Sequence, residues 1–150
     1  MSTASSGVAP EAARDSITLP TSLKVLVAED SALIRERLAG LLSELPRVEI
    51  VGEASDGSSA LRLFFACRPR AVILDIQMPG PNGIEVLRQI KAEDRNCVVI
   101  ILTSFQLPEF RDRCAEAGAD HFFHKSTEFE KVLVVLNDLV AVELPGESPE

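Results

Sequence analysis

Five short apolar runs alternate with five stretches of helical periodicity, and this alternation restricts the possible folds more than any other sequence feature. The runs are mostly continuous in apolar residues, which is typical of strands buried on both faces of a parallel sheet. Right-handed crossovers between such strands predict an α/β fold with a doubly wound, five-stranded parallel sheet. The predicted strands 1 to 5 are Leu23–Ala28, Val48–Ala54, Ala71–Leu74, Cys97–Leu102 and His121–His124.

Capping and breaking residues mark where the intervening helices begin and end. The first helix continues to Leu45 and is stopped by Pro46, and the second is capped by Asp56 and ends before Pro69. The third helix begins at a capping-box-like pair, Asn82 and Glu85. The fourth helix spans Pro108–Ala117 and is closed by Gly118. A second capping box, at Thr127 and Glu130, opens the fifth helix.

The chain of 150 residues has the usual size of one domain. Residues 1–21 are rich in Ser, Ala, Thr and Pro without apolar periodicity, and they are expected to form a flexible tail. Residues 143–150 have a similar character and predict a second tail. The folded domain is therefore predicted over residues 22–142.

Candidate site residues directly follow predicted strands 1, 3, 4 and 5. Glu29 and Asp30 follow strand 1, Asp75 follows strand 3, Thr103 follows strand 4 and Lys125 follows strand 5. In an open α/β sheet, ligands bind beyond the carboxyl ends of the strands, where these side chains converge.

Three converging carboxylates need a compensating charge, because two unit charges at ~4 Å repel by about 4 kcal/mol at an effective dielectric constant near 20. Mg²⁺ with oxygen ligands supplies that charge and suggests phosphoryl chemistry. An aspartate can itself accept a phosphoryl group, so the set predicts Asp75 as nucleophile, with the Lys125 ammonium and the Thr103 hydroxyl on the phosphoryl oxygens.

Over residues 23–140, the chain resembles the receiver domain of bacterial response regulators, because the segments at these strand ends occur together and in the order of that family. The resemblance implies the flavodoxin-like or CheY-like (βα)5 fold with strand order 2-1-3-4-5. The segments that carry it are Val-Ala-Glu-Asp-Ser (27–31), Leu-Asp-Ile-Gln-Met-Pro-Gly (74–80), Ile-Leu-Thr-Ser (101–104), Ala-Gly-Ala-Asp (117–120) and Phe-His-Lys-Ser (123–126).

The resemblance also assigns roles to individual residues. Asp75 is implied as the phosphoacceptor, and Thr103 and Lys125 as the switch hydroxyl and lysine. The implied Mg²⁺ ligands are Asp30, Asp75, the backbone carbonyl of Gln77, and Glu29 through a water molecule.

Three further positions are assigned by the resemblance. Phe122 corresponds to the rotating aromatic residue, although it lacks a hydroxyl, so packing alone would drive its rotation. Gln77 and Phe105 correspond to positions that tune the lifetime of the phosphate. Ser126 replaces the Pro that usually follows the lysine, so a cis peptide bond at Lys125–Ser126 is not expected, since it would cost ~3 kcal/mol.

A receiver of this kind is expected to be a signalling protein rather than an enzyme. The expected phosphodonor is a histidine kinase or a histidine phosphotransfer protein. Because the sequence stops about ten residues after the last predicted helix, output is expected from a stand-alone domain. Phosphorylation would remodel the face formed by helix 4, strand 5 and helix 5, which would bind an output protein or a second copy of the chain.

Composition restricts the other partners and the location. A net charge of −8 disfavours direct binding of nucleic acid and of anionic membranes. The apolar runs are too short to span a bilayer. Three unpaired Cys suggest a reducing compartment, which predicts the cytoplasm. The Arg35-Glu36-Arg37 run is interpreted as a solvated helix face.

Three alternatives remain open at this stage. A phosphatase with Asp30 as nucleophile is disfavoured, because such enzymes place a second acid two residues later and this chain has Ala32 there. A scaffold that works without phosphorylation would keep the fold without using the site. The sequence is also compatible with the receiver part of a longer DNA-binding regulator, with the acidic C-terminal segment as the linker.

Overall fold

The computed structural model describes residues 21–80, 82–104 and 107–144. The strands are β1 (Leu23–Ala28), β2 (Val48–Ala54), β3 (Ala71–Leu74), β4 (Val98–Thr103) and β5 (His121–His124). The helices are α1 (Ala32–Leu42), α2 (Gly57–Cys67), α3 (Gly83–Glu93), α4 (Pro108–Glu116) and α5 (Lys131–Glu143). All four strand pairs are parallel and the order is β2-β1-β3-β4-β5, which confirms the predicted fold and topology.

The inner strands β1, β3 and β4 are buried on both faces along most of their length, which explains why they are mostly continuous in apolar residues. On one face, α2, α3 and α4 contribute Phe64, Leu87 and Cys114 to the core. On the other face, α1 and α5 contribute Leu38 and Leu136. Successive residues of β3 therefore enter different cores, and all four are buried.

Three of the predicted helix boundaries have the local capping features that the sequence predicts. The Asp56 side chain accepts a hydrogen bond from the Ser59 N–H at 2.7 Å, and the Asn82 side chain accepts one from the Glu85 N–H at 3.0 Å. Gly118 has a φ of 106° directly after α4, a conformation that favours glycine. These three signals are confirmed.

The capping box predicted at Thr127 and Glu130 is wrong. Helix α5 begins later, at Lys131, and Glu130 makes no side-chain capping bond. The chain after β5 instead forms turns closed by Glu128, whose Oε1 accepts from the His124 N–H and whose own N–H donates to the His124 carbonyl, both at 2.9 Å. The Lys125–Ser126 bond lies in this loop, and the described residues contain no cis peptide bond.

The first helix also differs from the prediction, since it ends at Leu42 and not at Leu45. Residues 43–47 form turns, with the Leu45 N–H donating to the Leu42 carbonyl at 3.0 Å. The apolar spacing continues through Leu45 because this side chain still packs against the core after the helix has ended.

The end of α5 is fixed at the edge of the sheet where the strands begin. Arg70, which precedes β3, donates from Nη2 to Glu143 Oε2 at 2.8 Å, and Arg47 donates from Nη1 to the Leu144 carbonyl at 2.9 Å. The Leu144 side chain is buried. The described structure continues to Leu144, and the remainder of the two predicted tails, 1–20 and 145–150, lies outside the described residues.

Candidate functional site

The carboxyl edge of the sheet brings together the acidic residues that follow β1 and β3. Glu29 and Asp75 are each only 2% exposed, whereas Asp30 is exposed to solvent. Each of the three offers a carboxylate oxygen, and these oxygens lie within 4.8 Å of one another. Thr103, at the end of β4, is fully buried. The strand ends therefore converge as the sequence predicts.

Lys125 connects the two buried carboxylates. Its Nζ lies 2.8 Å from Asp75 Oδ2 and 2.9 Å from Glu29 Oε1, and its side chain is 17% exposed. Charge-assisted hydrogen bonds of this length, with both acceptors buried, hold the ammonium firmly between the carboxylates. The lysine thereby gives the acidic cluster a fixed positive charge on one side.

Backbone N–H groups orient the remaining carboxylate oxygens. Asp75 Oδ1 accepts from the Gln77 N–H at 3.0 Å, and Glu29 Oε2 accepts from the Ser31 N–H at 2.9 Å. In both cases the donor lies two residues after the acid, where the chain turns out of the sheet. The turns after β1 and β3 thus hold both carboxylates at the carboxyl edge of the sheet.

Burial and pairing act on the pKa values of this cluster in opposite directions. Burial raises the pKa of Glu29 above its usual value, although the hydrogen bonds from Lys125 and the Ser31 N–H partly oppose this. For Lys125, burial alone would lower the pKa, but the hydrogen bonds to Asp75 and Glu29 outweigh it and raise the pKa. Lys125 is therefore a stable cation at neutral pH.

The residues at this edge fit a magnesium ion. Three carboxylates and one ammonium leave a net charge of −2 when all are ionised, which a divalent cation balances. The donors are hard oxygen atoms, which Mg²⁺ prefers. Asp30 is exposed and leaves the cluster open to solvent on one side, as a cation that keeps several water ligands requires.

Of the other positions singled out in the sequence, Gln77 and Phe122 are among the described residues. The Gln77 side chain is exposed, and its Oε1 accepts from the Ser104 hydroxyl at 3.2 Å, which links the ends of β3 and β4. Phe122 is already buried, with the Arg111 guanidinium 5.0 Å from the ring centroid. Phe105 lies outside the described residues.

Sequence reasoning missed two neighbours of the site. Arg35 was interpreted as part of a solvated helix face, but its side chain donates to the Glu29 carbonyl at 2.7 Å. Gly83 packs directly against the backbone of Asp75 and Ile76. No feature of the sequence indicates that the Arg35 guanidinium turns inward. The position of Gly83 at the start of a predicted helix is a weak indication of close packing there.

Replacing Asp30 by Asn is expected to raise the free energy of unfolding without metal by about 1 kcal/mol, because it removes like-charge repulsion at a solvent-exposed position. Mg²⁺ is expected to raise the melting temperature of the wild type but not that of Asp30→Asn. Circular dichroism melting with and without Mg²⁺ measures both effects. Asp138→Asn, an exposed position on α5, is the control and should leave the Mg²⁺ effect intact. An Asp30→Asn variant that Mg²⁺ still stabilises fully would contradict the predicted role of this carboxylate.

Comparison with known proteins agrees with this arrangement. A family model described as the response regulator receiver domain matches residues 25–137. The receiver domain of NarL from Mycobacterium tuberculosis superposes with a TM-score of 0.72 at 33% identity, covering 79% of this chain and 97% of that one. The response regulator domain of Thermotoga maritima CheB gives a TM-score of 0.69 at 27% identity, covering 83% of this chain and 97% of that one.

Two curated relatives show how much of a longer protein the match covers. The transcriptional regulatory protein PdtaR of Mycobacterium tuberculosis is 43% identical over 96 residues, which is 64% of this chain and 46% of that protein. The transcriptional regulatory protein LiaR of Bacillus subtilis is 34% identical over 110 residues, which is 73% of this chain and 52% of that protein. The chain thus spans about half the length of these relatives.

Fold and site together define a CheY-like α/β domain with an acidic cluster and a lysine at the carboxyl edge of its sheet. This chain belongs to the response regulator receiver domain family of two-component signalling systems. Receiver domains are signalling domains that interact with kinases, phosphotransfer proteins or output domains. Among the described residues, no helix is long and apolar enough to cross a bilayer.

Proposed function

We propose that this chain is a phosphorylation-dependent signalling domain in which Asp75 accepts a phosphoryl group from a histidine kinase or a histidine phosphotransfer protein. The observation that carries the proposal is the buried Asp75 carboxylate, hydrogen-bonded to the Lys125 ammonium inside an acidic cluster. Transfer of a phosphoryl group needs a positioned nucleophile and neutralisation of charge, and this cluster supplies both.

In the proposed transfer, an Asp75 carboxylate oxygen attacks the phosphorus of a phosphohistidine. The phosphorus–nitrogen bond breaks, and the donor imidazole nitrogen keeps the electron pair and takes a proton from solvent. The product is an acyl phosphate on Asp75. The Lys125 ammonium, which bonds Asp75 Oδ2 at 2.8 Å, then turns to the new phosphoryl oxygens.

In this proposal, Asp30, Asp75, the Gln77 backbone carbonyl and, through water, Glu29 would hold a Mg²⁺ ion. Such an ion would supply positive charge to the phosphoryl oxygens. Around it, Glu29 keeps its hydrogen bond to Lys125 and so holds the ammonium at the site when Asp75 is modified. Gln77 and Phe105 are proposed to set the lifetime of the acyl phosphate by controlling access of water.

The signal is proposed to leave through the face formed by α4, β5 and α5. The Thr103 hydroxyl would move to the phosphoryl group, and the Phe122 ring would repack in response. The strand register supports this coupling, because Thr103 pairs with His124 while Phe122 pairs with Ile101 on the same two strands. An output protein or a second copy of the chain would recognise the altered face.

The relatives favour a second version of the same function. LiaR and PdtaR are named as transcriptional regulatory proteins, and the chain matches about half of each. A receiver of this kind can act as a stand-alone domain or as the input half of a longer DNA-binding regulator. In both versions, the phosphorylation chemistry is the same, and a cytoplasmic location is proposed because the histidine-kinase donor would act there.

The proposal is tested by intact mass after incubation with Mg²⁺ and acetyl phosphate, comparing the wild type with Asp75→Asn. The expected result is a phosphoryl adduct that is labile to alkali, requires Mg²⁺ and is absent from the variant. Asp56→Asn is the matched control, since Asp56 caps α2 and should not affect the adduct. Failure of the folded wild type to form an adduct with acetyl phosphate or with phosphohistidine donors would favour the phosphorylation-independent scaffold.

A further inference from the structure

Arg35 links the loop after β1, helix α1 and strand β2. Its Nη1 donates to the backbone carbonyl of Glu29 at 2.7 Å, and its Nε lies 3.6 Å from Glu53 Oε1. The Arg35 side chain is 22% exposed, which is half the exposure of the Glu53 side chain at 44%. The guanidinium is therefore largely enclosed between the start of α1 and the acidic loop.

The carbonyl that Arg35 binds belongs to the peptide joining two residues of the acidic cluster. Two backbone hydrogen bonds mark the end of the sheet pairing of β1. The Ala28 carbonyl accepts from the Asp75 N–H at 3.0 Å, and the Glu29 N–H donates to the Ala54 carbonyl at 2.9 Å. The next carbonyl, that of Glu29, lies past the paired strands and receives its donor from the Arg35 side chain. A partly buried carbonyl needs such a donor.

Fixing this carbonyl fixes the plane of the Glu29–Asp30 peptide, because the peptide unit is rigid. Together with the neighbouring peptide units, the orientation of that plane determines the directions in which the two flanking side chains leave the backbone. One of them, Glu29, is also held by the Ser31 N–H and by Lys125. The other, Asp30, is the exposed member of the cluster, so the peptide plane is a major determinant of where its carboxylate points.

We propose that Arg35 is a positioning residue for the cation site and increases its affinity for Mg²⁺ by fixing the Glu29–Asp30 peptide. This inference rests on the proposed cation site. The charge of Arg35 acts in the opposite direction, since a guanidinium close to the cluster repels a cation. Loss of the positioning contact would therefore weaken Mg²⁺ binding when Arg35 is removed, whereas loss of its charge would strengthen it.

The experiment is a calorimetric titration of the full chain with Mg²⁺, because the sequence contains no Trp or Tyr to report binding by fluorescence. Arg35→Ala is expected to weaken Mg²⁺ binding by about tenfold, the lower end of the effect seen when a group that orients a metal ligand is removed. Arg35→Gln removes the charge but keeps an amide donor, and its affinity should lie closer to the wild type than to Arg35→Ala.

Arg37→Ala is the matched control. It removes the same charge from the same helix, but the Arg37 guanidinium lies 4.6 Å from the centroid of the Phe129 ring and is exposed. Its Mg²⁺ affinity should be equal to or slightly higher than that of the wild type. Melting curves without metal verify that each variant is folded, and a folded Arg35→Gln variant keeps the test decisive if Arg35→Ala unfolds.

Unchanged or tighter Mg²⁺ binding by folded Arg35→Ala would overturn the positioning role and leave the cation site in place. Absence of Mg²⁺ binding by the wild type, or equal binding by Asp75→Asn, would overturn both the cation site and the role of Arg35. Weaker binding by Arg35→Ala, with Arg37→Ala unchanged, would support the inference. A phosphorylation rate that is lower at limiting Mg²⁺ but recovers at saturating Mg²⁺ would support it independently.

Discussion

Replacing Gly83 by Ala is expected to lower the free energy of unfolding by about 3 kcal/mol and to reduce phosphorylation of Asp75 at least tenfold. A Cβ atom at this position would lie 2.3 Å from Ile76 Cα and 2.7 Å from the Asp75 carbonyl oxygen. Both neighbours are backbone atoms, so no side chain can rotate away. Helix α3 would have to move off the loop that carries the proposed phosphoacceptor.

Chemical denaturation and the acetyl phosphate assay measure the two effects of Gly83→Ala. Gly40→Ala is a suitable control, because a Cβ there meets nothing within 4 Å. Gly40 lies inside α1, where alanine is favoured by about 1 kcal/mol, so this variant should be slightly more stable than the wild type. A Gly83→Ala variant of wild-type stability would mean that α3 and the loop after β3 are not packed as closely as the structure has them.

Replacing Lys125 by Met is expected to lower the free energy of unfolding without metal by about 3 kcal/mol at neutral pH. Methionine preserves most of the side-chain volume but removes the ammonium that bonds both Asp75 and Glu29. The two carboxylates are each 2% exposed and would face one another without compensation. Mg²⁺ should restore part of the lost stability, so the variant should gain more from Mg²⁺ than the wild type does.

Denaturant titrations of Lys125→Met with and without Mg²⁺ measure this difference. Lys131→Met is the matched control, since Lys131 pairs with Glu128 at the surface and its side chain is 60% exposed. Surface pairs of this kind contribute 1 kcal/mol or less, as a rough guide. If Lys125→Met is as stable as the wild type without metal, the ammonium does not stabilise the buried carboxylates, and its place in the site needs another explanation.

The fold was largely predictable because its inner strands, β1, β3 and β4, are buried on both faces. The run Ala71–Leu74 is continuously apolar because the side chains of this central strand enter two cores in turn. A helix or an edge strand of similar length has one exposed face and needs no such continuous run. The strand order came from the resemblance alone, because apolar periodicity contains no information about which strands are neighbours. The positions of the site residues followed from strand ends, since parallel strands bring their carboxyl ends to one edge.

The parts that could not be predicted depend on long side chains and close approaches. Lys125 was expected near the phosphoryl group, but its second bond, to Glu29, depends on the reach and direction of a flexible side chain. Arg35 has the spacing of an exposed helix residue, and it turns inward to the Glu29 carbonyl after β1 and to Glu53, partners that the helical pattern does not indicate. The capping box predicted at Thr127 and Glu130 is absent because Glu128 is the acidic residue that closes the loop, with its Oε1 accepting from the His124 N–H of β5.

The attachment of Leu144 places the exit of the chain at the far end of the sheet from Asp75. From Arg70 to Asp75 the chain advances five residues along β3, a separation of roughly 16 Å at 3.3 Å per residue. Arg47 and Arg70 hold the end of α5 at this far edge, so its C-terminal contacts are separate from the acidic cluster. In the proposed switch, α5 would thus pivot about its anchored C-terminal end, and the Arg47 and Arg70 contacts would be kept.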